Sequence, residues 1–122
     1  MTGQASKIGG LNAYVLDIEG PPLANSRDAS DLVGDAFSTS AELVVVPVER
    51  LSPDFLRLSS GLAGDVLQKF VNYGLKFAVL GDVSAAAAAS GPLRDFIYES
   101  NRGSSVWFAP DLPALEALLA RR

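Results

Sequence analysis

From residue 43 onward, short apolar runs alternate with amphipathic helical stretches, and this alternation constrains the fold more than any other feature of the chain. The runs at 43–48, 76–81 and 105–108 have the length and the β-branched or aromatic content of buried strands. Each is followed by a stretch in which apolar residues recur at helical spacing. This order predicts parallel strands joined by right-handed crossovers, and therefore an α/β fold.

The helical stretches carry start and stop signals of their own. Leu62, Val66 and Phe70 follow one i, i+4 line, and Gly74 supplies a C-terminal stop. Asp111 stands where it can cap a terminal helix. The crossover helices are therefore expected to be amphipathic.

The N-terminal part of the chain departs from this regular order. Residues 11–18 predict a first strand, which Pro21 and Pro22 end because proline cannot donate a ladder hydrogen bond. We expect a sheet of four to five strands, mostly parallel or mixed. Residues 1–10 are small and polar and predict a flexible leader, which leaves a single domain over residues 11–122.

Cysteine and histidine are both absent from the 122 residues. A catalytic thiol, an imidazole base, a disulfide frame and the usual zinc sites are therefore excluded within this chain. Neither a Walker loop nor a dinucleotide fingerprint occurs. We expect no catalytic residue, no metal and no cofactor, and the balance is against an enzyme.

Charge and hydropathy limit the partners. The net charge of −4 argues against binding to nucleic acid, because proteins that bind nucleic acid need clustered basic residues. No stretch approaches the roughly 20 apolar residues of a membrane helix, and the N-terminal residues lack the apolar core of a signal peptide. We expect a cytoplasmic protein without a membrane partner.

A first candidate site is Ser59-Ser60-Gly61, which lies between an apolar strand and an amphipathic helix. Backbone amides and the helix dipole would favour a phosphate on either serine, which suggests a regulatory phosphosite or an anion site. The alternative is that one serine simply caps the helix.

A second candidate site consists of Arg50, Asp82 and Asp111, which follow the predicted parallel strands. Ligands of α/β sheets bind beyond the carboxyl ends of such strands. The carboxylates would hold a cation and Arg50 would orient an anion. The alternative is that Asp111 is a helix cap and Asp82 a turn residue.

A third candidate is a protein interface, including that of a homodimer. Arg94 and Tyr98 are spaced i, i+4 away from the apolar face of their helix, and a solvated surface is the alternative. Trp107 is either a core residue of the second sheet face or an exposed aromatic at the interface.

A run of short motifs lies in residues 55–98 and the segment that follows them. The motifs are Gly61-Leu62-Ala63-Gly64, Leu67-Gln68-Lys69-Phe70, Asn72-Tyr73, Val79-Leu80-Gly81-Asp82 and Leu93-Arg94-Asp95-Phe96-Ile97-Tyr98-Glu99-Ser100-Asn101. With these motifs the chain resembles the bacterial domain-of-unknown-function 4180 family. The resemblance implies a small stand-alone bacterial domain, and the family brings no activity with it.

The order strand, Ser59-Ser60-Gly61-Leu62, helix, strand is also similar to the STAS domains of anti-sigma-factor antagonists. Their motif of aspartate, serine, serine or threonine, glycine and leucine carries a regulatory phosphoserine. Ser59 matches the phosphorylated serine and Ser60 the hydroxyl residue after it, while Leu58 stands in place of the aspartate. The resemblance implies a STAS-like sandwich that binds a regulatory partner.

These observations favour a non-enzymatic regulatory or protein-interaction domain whose protein partner the sequence does not name. The alternative is a protein that binds a nucleotide, a phosphoester or a divalent ion, or a weak hydrolase. That alternative would use the carboxylates at the carboxyl ends of the strands.

Overall fold

Five strands form one sheet in the computed structural model, which describes residues 1–121. The strands lie side by side in chain order, with β1 antiparallel to β2 and the other neighbours parallel. Their bounds are β1 Gly3–Ile8, β2 Leu11–Leu16, β3 Leu43–Pro47, β4 Lys76–Leu80 and β5 Val106–Ala109. The predicted α/β class with a mixed sheet is confirmed.

Helices follow β2, β3, β4 and β5. They are α1 Ser26–Ser38, α2 Leu62–Asn72, α3 Ser84–Ala89, α4 Gly91–Arg102 and α5 Leu112–Ala120. The side chains of Asn25, Ser90 and Asp111 accept hydrogen bonds from the first turns of α1, α4 and α5, because the first amides of a helix lack internal partners. Within residues 1–121, no helix is long and apolar enough to cross a bilayer.

The two faces of the sheet are covered unequally. One face packs against α1 and α2 in a core that includes Phe70 and Phe77, whose rings lie 4.9 Å apart between centroids. On the other face, Trp107 and Val45 pack against Leu115 and Leu119 of α5. Since α5 is only nine residues long, it covers one part of this second face and leaves the other part uncovered. We call the whole second face of the sheet the open face.

The structure differs from prediction at the N-terminus, where a strand replaces most of the expected leader. Gly9 and Gly10 have φ of 57° and 83°, the left-handed pair that a two-residue hairpin turn requires. The turn reverses the chain, so β1 pairs with β2 along its whole length and buries Ile8. Because small polar residues lie on both sides of β1, the strand lacks the alternation of apolar and polar residues that predicts a strand. The glycine pair nevertheless marks the turn.

Candidate functional site

A groove of about 360 Å³ lies on the open face, near the carboxyl ends of the parallel strands. Val15 of β2, Leu80 of β4 and the first residue of α5, Leu112, give it an apolar lining. Gln4 of β1 and Asp17 add polar groups on one side. We call this depression, with Ile18 on its rim, the open-face groove.

Two large apolar side chains stand exposed at the open-face groove. Ile18 is 62% exposed and Leu112 is 41% exposed. Single exposed apolar residues are ordinary on a protein surface, but apolar residues grouped around a concave site are a feature of binding surfaces. The pair therefore makes the groove a candidate for a contact with another molecule.

The side of the groove nearest β1 is acidic. A neighbouring shallow depression is lined by Asp17 and Glu19, together with Thr2, Gln4 and Ile18. Among the described residues that line the two depressions there is no lysine or arginine. The surface is thus apolar with carboxylates on one border, and it would attract a cationic group.

The side chain of Arg50 supports the loop 17–21, which carries the acidic residues at the border of the groove. The guanidinium is fully buried, and its Nε donates to the carbonyl of Pro21 at 2.8 Å. Its Nη1 donates to the carbonyls of Asp17 and Glu19 at 2.8 and 3.2 Å. Charge-assisted hydrogen bonds of this kind are the stronger ones in proteins. Arg50 therefore fixes the backbone on both sides of Ile18.

Gly20 makes room for this arrangement. A Cβ atom at this position would lie 2.8 Å from Cζ of Arg50, and the backbone φ is +144°. Only glycine accepts both conditions without strain. The loop and the arginine therefore depend on each other.

The predicted ligand site of Arg50, Asp82 and Asp111 is not assembled as expected. Arg50 is buried and bonded to carbonyls, so it cannot orient an anion at the strand ends. The carboxylate of Asp82 accepts from the amide of Ser84 at 2.8 Å, and that of Asp111 accepts from the amide of Ala114 at 2.9 Å. Hydrogen bonds from Ser84 also lower the pKa of Asp82. Asp82 thus stabilises the turn before α3, and Asp111 caps α5.

A second, smaller cavity lies at the same edge. It has a volume of about 200 Å³ and is lined by Asp82, Ser84, Ile97 and Pro110, among others. Within residues 1–121, no group of three or more acidic residues is placed to hold a metal ion.

The segment Ser59-Ser60-Gly61 lies at the start of α2, as predicted. Both serines belong to a short 3-10 turn, and Gly61 is the N-cap residue with φ of 81°. The Ser60 hydroxyl donates to the carbonyl of Asp54 at 2.6 Å and accepts from the amide of Leu62 at 3.2 Å. Ser59 is exposed, and its hydroxyl has no hydrogen-bond partner in the described part of the chain. The two hydroxyls therefore differ in availability.

The third group of candidate residues is divided between surface and core. Tyr98 is 61% exposed, and Arg102 lies over its ring at 5.5 Å from the centroid. Arg94 is exposed on the same helix. Trp107 is fully buried on the open face beneath α5, so its interpretation as an interface residue is replaced by a core role.

A family model described as "Domain of unknown function (DUF4180)" matches residues 9–119. The chain belongs to the DUF4180 family. No curated protein matches it, and no solved structure matches it. The matched range begins at the glycine turn and runs to the last turn of α5. It contains Ile18, Leu80 and Leu112 of the open-face groove, whereas Gln4 precedes it.

Sequence reasoning missed the open-face groove. Ile18 is the last residue of the predicted first strand and lies two residues before Gly20-Pro21-Pro22, so it is apolar where no helix is expected to cover it. That is the one signal that would have pointed to the groove. Leu112 resembles any other apolar residue of an amphipathic helix, and its exposure follows from the short span of α5 on the sheet.

Proposed function

We propose that this member of the DUF4180 family is a non-enzymatic protein-interaction domain that binds a partner through the open-face groove. The observation that carries the proposal is the exposure of Ile18 and Leu112 beside a cavity of about 360 Å³. Moving such a side chain from full exposure to full burial contributes roughly 1.5–3 kcal/mol, and Ile18 and Leu112 would each contribute a part of this, because both are already partly buried.

The charges around the groove define the kind of partner. Asp17 and Glu19 border one side, and a carboxylate beside an apolar surface favours lysine or arginine on the bound molecule. The partner is therefore a protein segment in which apolar side chains are flanked by basic ones. The apolar groups would enter the groove and the basic groups would lie along its β1 side.

A library of random peptides displayed on phage tests this proposal. We expect selection on the immobilised domain to enrich apolar peptides that carry lysine or arginine. In Ile18→Ser and Leu112→Ser, the Kd of a selected peptide should rise about tenfold, the effect of roughly 1.4 kcal/mol. Asp17→Asn should weaken binding mainly at low salt, because the partner loses a charge contact.

Tyr98→Ser is the matched control, since Tyr98 is as exposed as Ile18 but lies on α4, away from the groove. It should leave the Kd unchanged. Enriched peptides whose affinity depends on Tyr98 and not on Ile18 or Leu112 would remove the groove from the proposal.

A regulatory phosphate on Ser59 is part of the same proposal, with the chain in the cytoplasm and ATP as phosphate donor. The exposed Ser59 hydroxyl stands one turn before α2, and the resemblance of Ser59-Ser60-Gly61-Leu62 to the STAS motif supports its modification. A phosphate there adds nearly two negative charges close to the positive end of the helix dipole. Ser60 is also exposed, but its hydroxyl is already engaged, because it donates to the Asp54 carbonyl and accepts from the Leu62 amide.

Incubation with ATP and cell extract, followed by mass spectrometry, tests the phosphosite. We expect modification of the wild type and of Ser60→Ala but not of Ser59→Ala. Absence of phosphate on Ser59 under every growth condition sampled would remove the regulatory step and leave the groove proposal standing.

Binding of a small ligand at the strand ends is the second candidate function. The observation that favours it is the cavity of about 200 Å³ between Asp82, Ser84 and Pro110. A thermal shift with a nucleotide, a phosphoester or Mg²⁺ that Asp82→Asn abolishes would support it. A melting temperature that none of these compounds changes would count against it.

A further inference from the structure

The two edge strands of the sheet, β1 and β5, differ in what their outward-pointing backbone groups contact. At the β5 edge, the Asn101 side chain pairs with the outer backbone groups of Phe108. The amide of Phe108 donates to Oδ1 at 2.7 Å, and Nδ2 donates to the carbonyl of Phe108 at 3.1 Å. A side-chain amide here replaces a neighbouring strand, which is one way in which proteins prevent edge-to-edge pairing.

In the described part of the chain, no side chain pairs in this way with the middle of the β1 edge. Ile8 and Leu11 close the two-residue turn, and the amide of Asp17 donates to the carbonyl of Thr2 at 3.1 Å. Along an antiparallel pair, residues alternate between those whose backbone groups bond to the partner strand and those whose backbone groups point outward. These pairs set that alternation, so the backbone groups of Ala5 and Lys7 point away from β2. Within residues 1–121, the hydrogen bonds described outside the ladder involve neither of them. Both residues are exposed.

The side chains along β1 suit a copy of the same strand. Gln4, Ala5 and Ser6 are small or neutral, and Lys7 is the one charge within Gly3–Ile8. If Ala5 faces Ala5 of a second copy in antiparallel pairing, Lys7 faces Gly3. The two lysines are then separated by about 13 Å along the strands, beyond the Debye length of about 8 Å. A register shifted toward the turn would bring the lysines together.

The surface around Gly3 also complements a lysine. Gly3 has no side chain, and the Tyr14 ring fills the adjacent space, with its Cζ 2.9 Å from where a Gly3 Cβ would be. The Tyr14 hydroxyl donates to the Met1 carbonyl at 2.6 Å, and the N-terminal ammonium group of Met1 forms an ion pair of 2.6 Å with the Asp35 carboxylate. A lysine stem that crosses Gly3 would lie along the Tyr14 ring, which favours both its methylene groups and its charge.

We propose that two copies of this chain pair through their β1 strands around a two-fold axis, with Ala5 opposite Ala5. The pairing supplies about six backbone hydrogen bonds, two in the Ala5–Ala5 pair and two in each of the two Lys7–Gly3 pairs. It joins the two five-stranded sheets into one. The dimer does not depend on the open-face groove, but it brings the two grooves to the same side of the joined sheet, because Gln4 and Ser6 line each of them.

Sedimentation equilibrium of untagged protein tests the dimer. We expect a reversible monomer–dimer equilibrium, and the Kd should rise about tenfold or more in Ala5→Lys, because the new charges would face each other directly. Ala88→Lys introduces the same charge at an exposed position of α3 and should leave the Kd unchanged. A protein that stays monomeric at millimolar concentration would overturn the proposal, as would a dimer that Ala5→Lys leaves intact.

Disulfide trapping gives a second test that does not require a charged variant to fold. Because the chain has no cysteine, Ala5→Cys places a single thiol at the proposed axis. Hydrogen-bonded partners in an antiparallel pair have Cα atoms about 5.5 Å apart, within the range of a disulfide. Mild oxidation should link Ala5→Cys into dimers at least about tenfold faster than Ala88→Cys. Equal rates for the two variants would contradict the pairing.

Discussion

Replacement of Arg50 by methionine tests the arginine that supports the groove loop. Methionine fills much of the same volume but donates no hydrogen bond. The variant loses the three bonds from the guanidinium to the carbonyls of Pro21, Asp17 and Glu19. Bonds from a charged donor contribute about 1.5–3 kcal/mol each, and the smaller cost of burying methionine offsets part of that loss. We expect a net loss of about 3 kcal/mol.

Urea titration followed by tryptophan fluorescence measures this loss. Trp107 is the only tryptophan and is fully buried beneath α5, so its signal follows unfolding of the sheet as a whole. A loss of about 3 kcal/mol corresponds to a fall in melting temperature of roughly 10 °C for a chain of this size. The amides around Ile18 should also exchange faster, since the loop loses its anchor.

Arg57→Met is the matched control. Arg57 forms an ion pair of 2.6 Å with Asp54, but both side chains are largely exposed. Exposed pairs of this kind contribute at most about 1 kcal/mol. If Arg50→Met were within about 0.5 kcal/mol of the wild type, or no more destabilised than Arg57→Met, then Arg50 would not hold the loop.

Three further predictions follow from the same contacts. Gly20→Ala should lower the free energy of unfolding by about 2 kcal/mol, because a Cβ at φ of +144° would lie 2.8 Å from Cζ of Arg50; a urea midpoint equal to that of the wild type would contradict this. Asn101→Ala should cost about 1–2 kcal/mol and add self-association, because Phe108 loses both outer partners; sedimentation velocity would show no new species if this is wrong. Burial, followed by nearby carboxylates, raises the pKa of Tyr14 above 10.0. As the pH rises, the Tyr14 hydroxyl therefore ionises in the unfolded chain before it ionises in the folded one, and the free energy of unfolding should fall from about pH 10 toward the folded pKa. Tyr14→Phe should lack this alkaline fall in urea titrations at pH 9–11, and an unchanged slope would exclude Tyr14 as its source.

Much of the sheet and helix order could be predicted from the sequence, because burial on two faces or on one stripe leaves a periodic pattern. The run 43–48 is apolar on both faces since β3 is central, and residues 62–70 show the helical stripe of α2. The strand β1 leaves no such pattern, because most of its side chains are exposed and only Ile8 is buried. Its pairing is determined by backbone hydrogen bonds and by the Gly9-Gly10 turn.

The candidate sites were harder to predict, because they depend on what covers each residue. Trp107 has the same sequence pattern whether α5 covers it or a partner does, and the structure places α5 over it. Arg50 looks like a surface residue after a strand, yet the loop at Glu19 and Gly20 closes over it from some 30 residues earlier in the chain. Contacts between distant segments leave no local pattern.

The most direct test of the central claim, that the open-face groove is the docking surface, is methyl NMR of the domain titrated with a selected apolar and basic peptide. We expect shifts concentrated on Val15, Ile18, Leu80 and Leu112, which line the groove. The methyl groups of Leu93 should remain unchanged, because this residue is buried on α4, whose Phe96 and Ile97 pack against the core on the opposite face of the sheet. Shifts that centre on α4, or peptide binding without any shift at Ile18 and Leu112, would contradict the account.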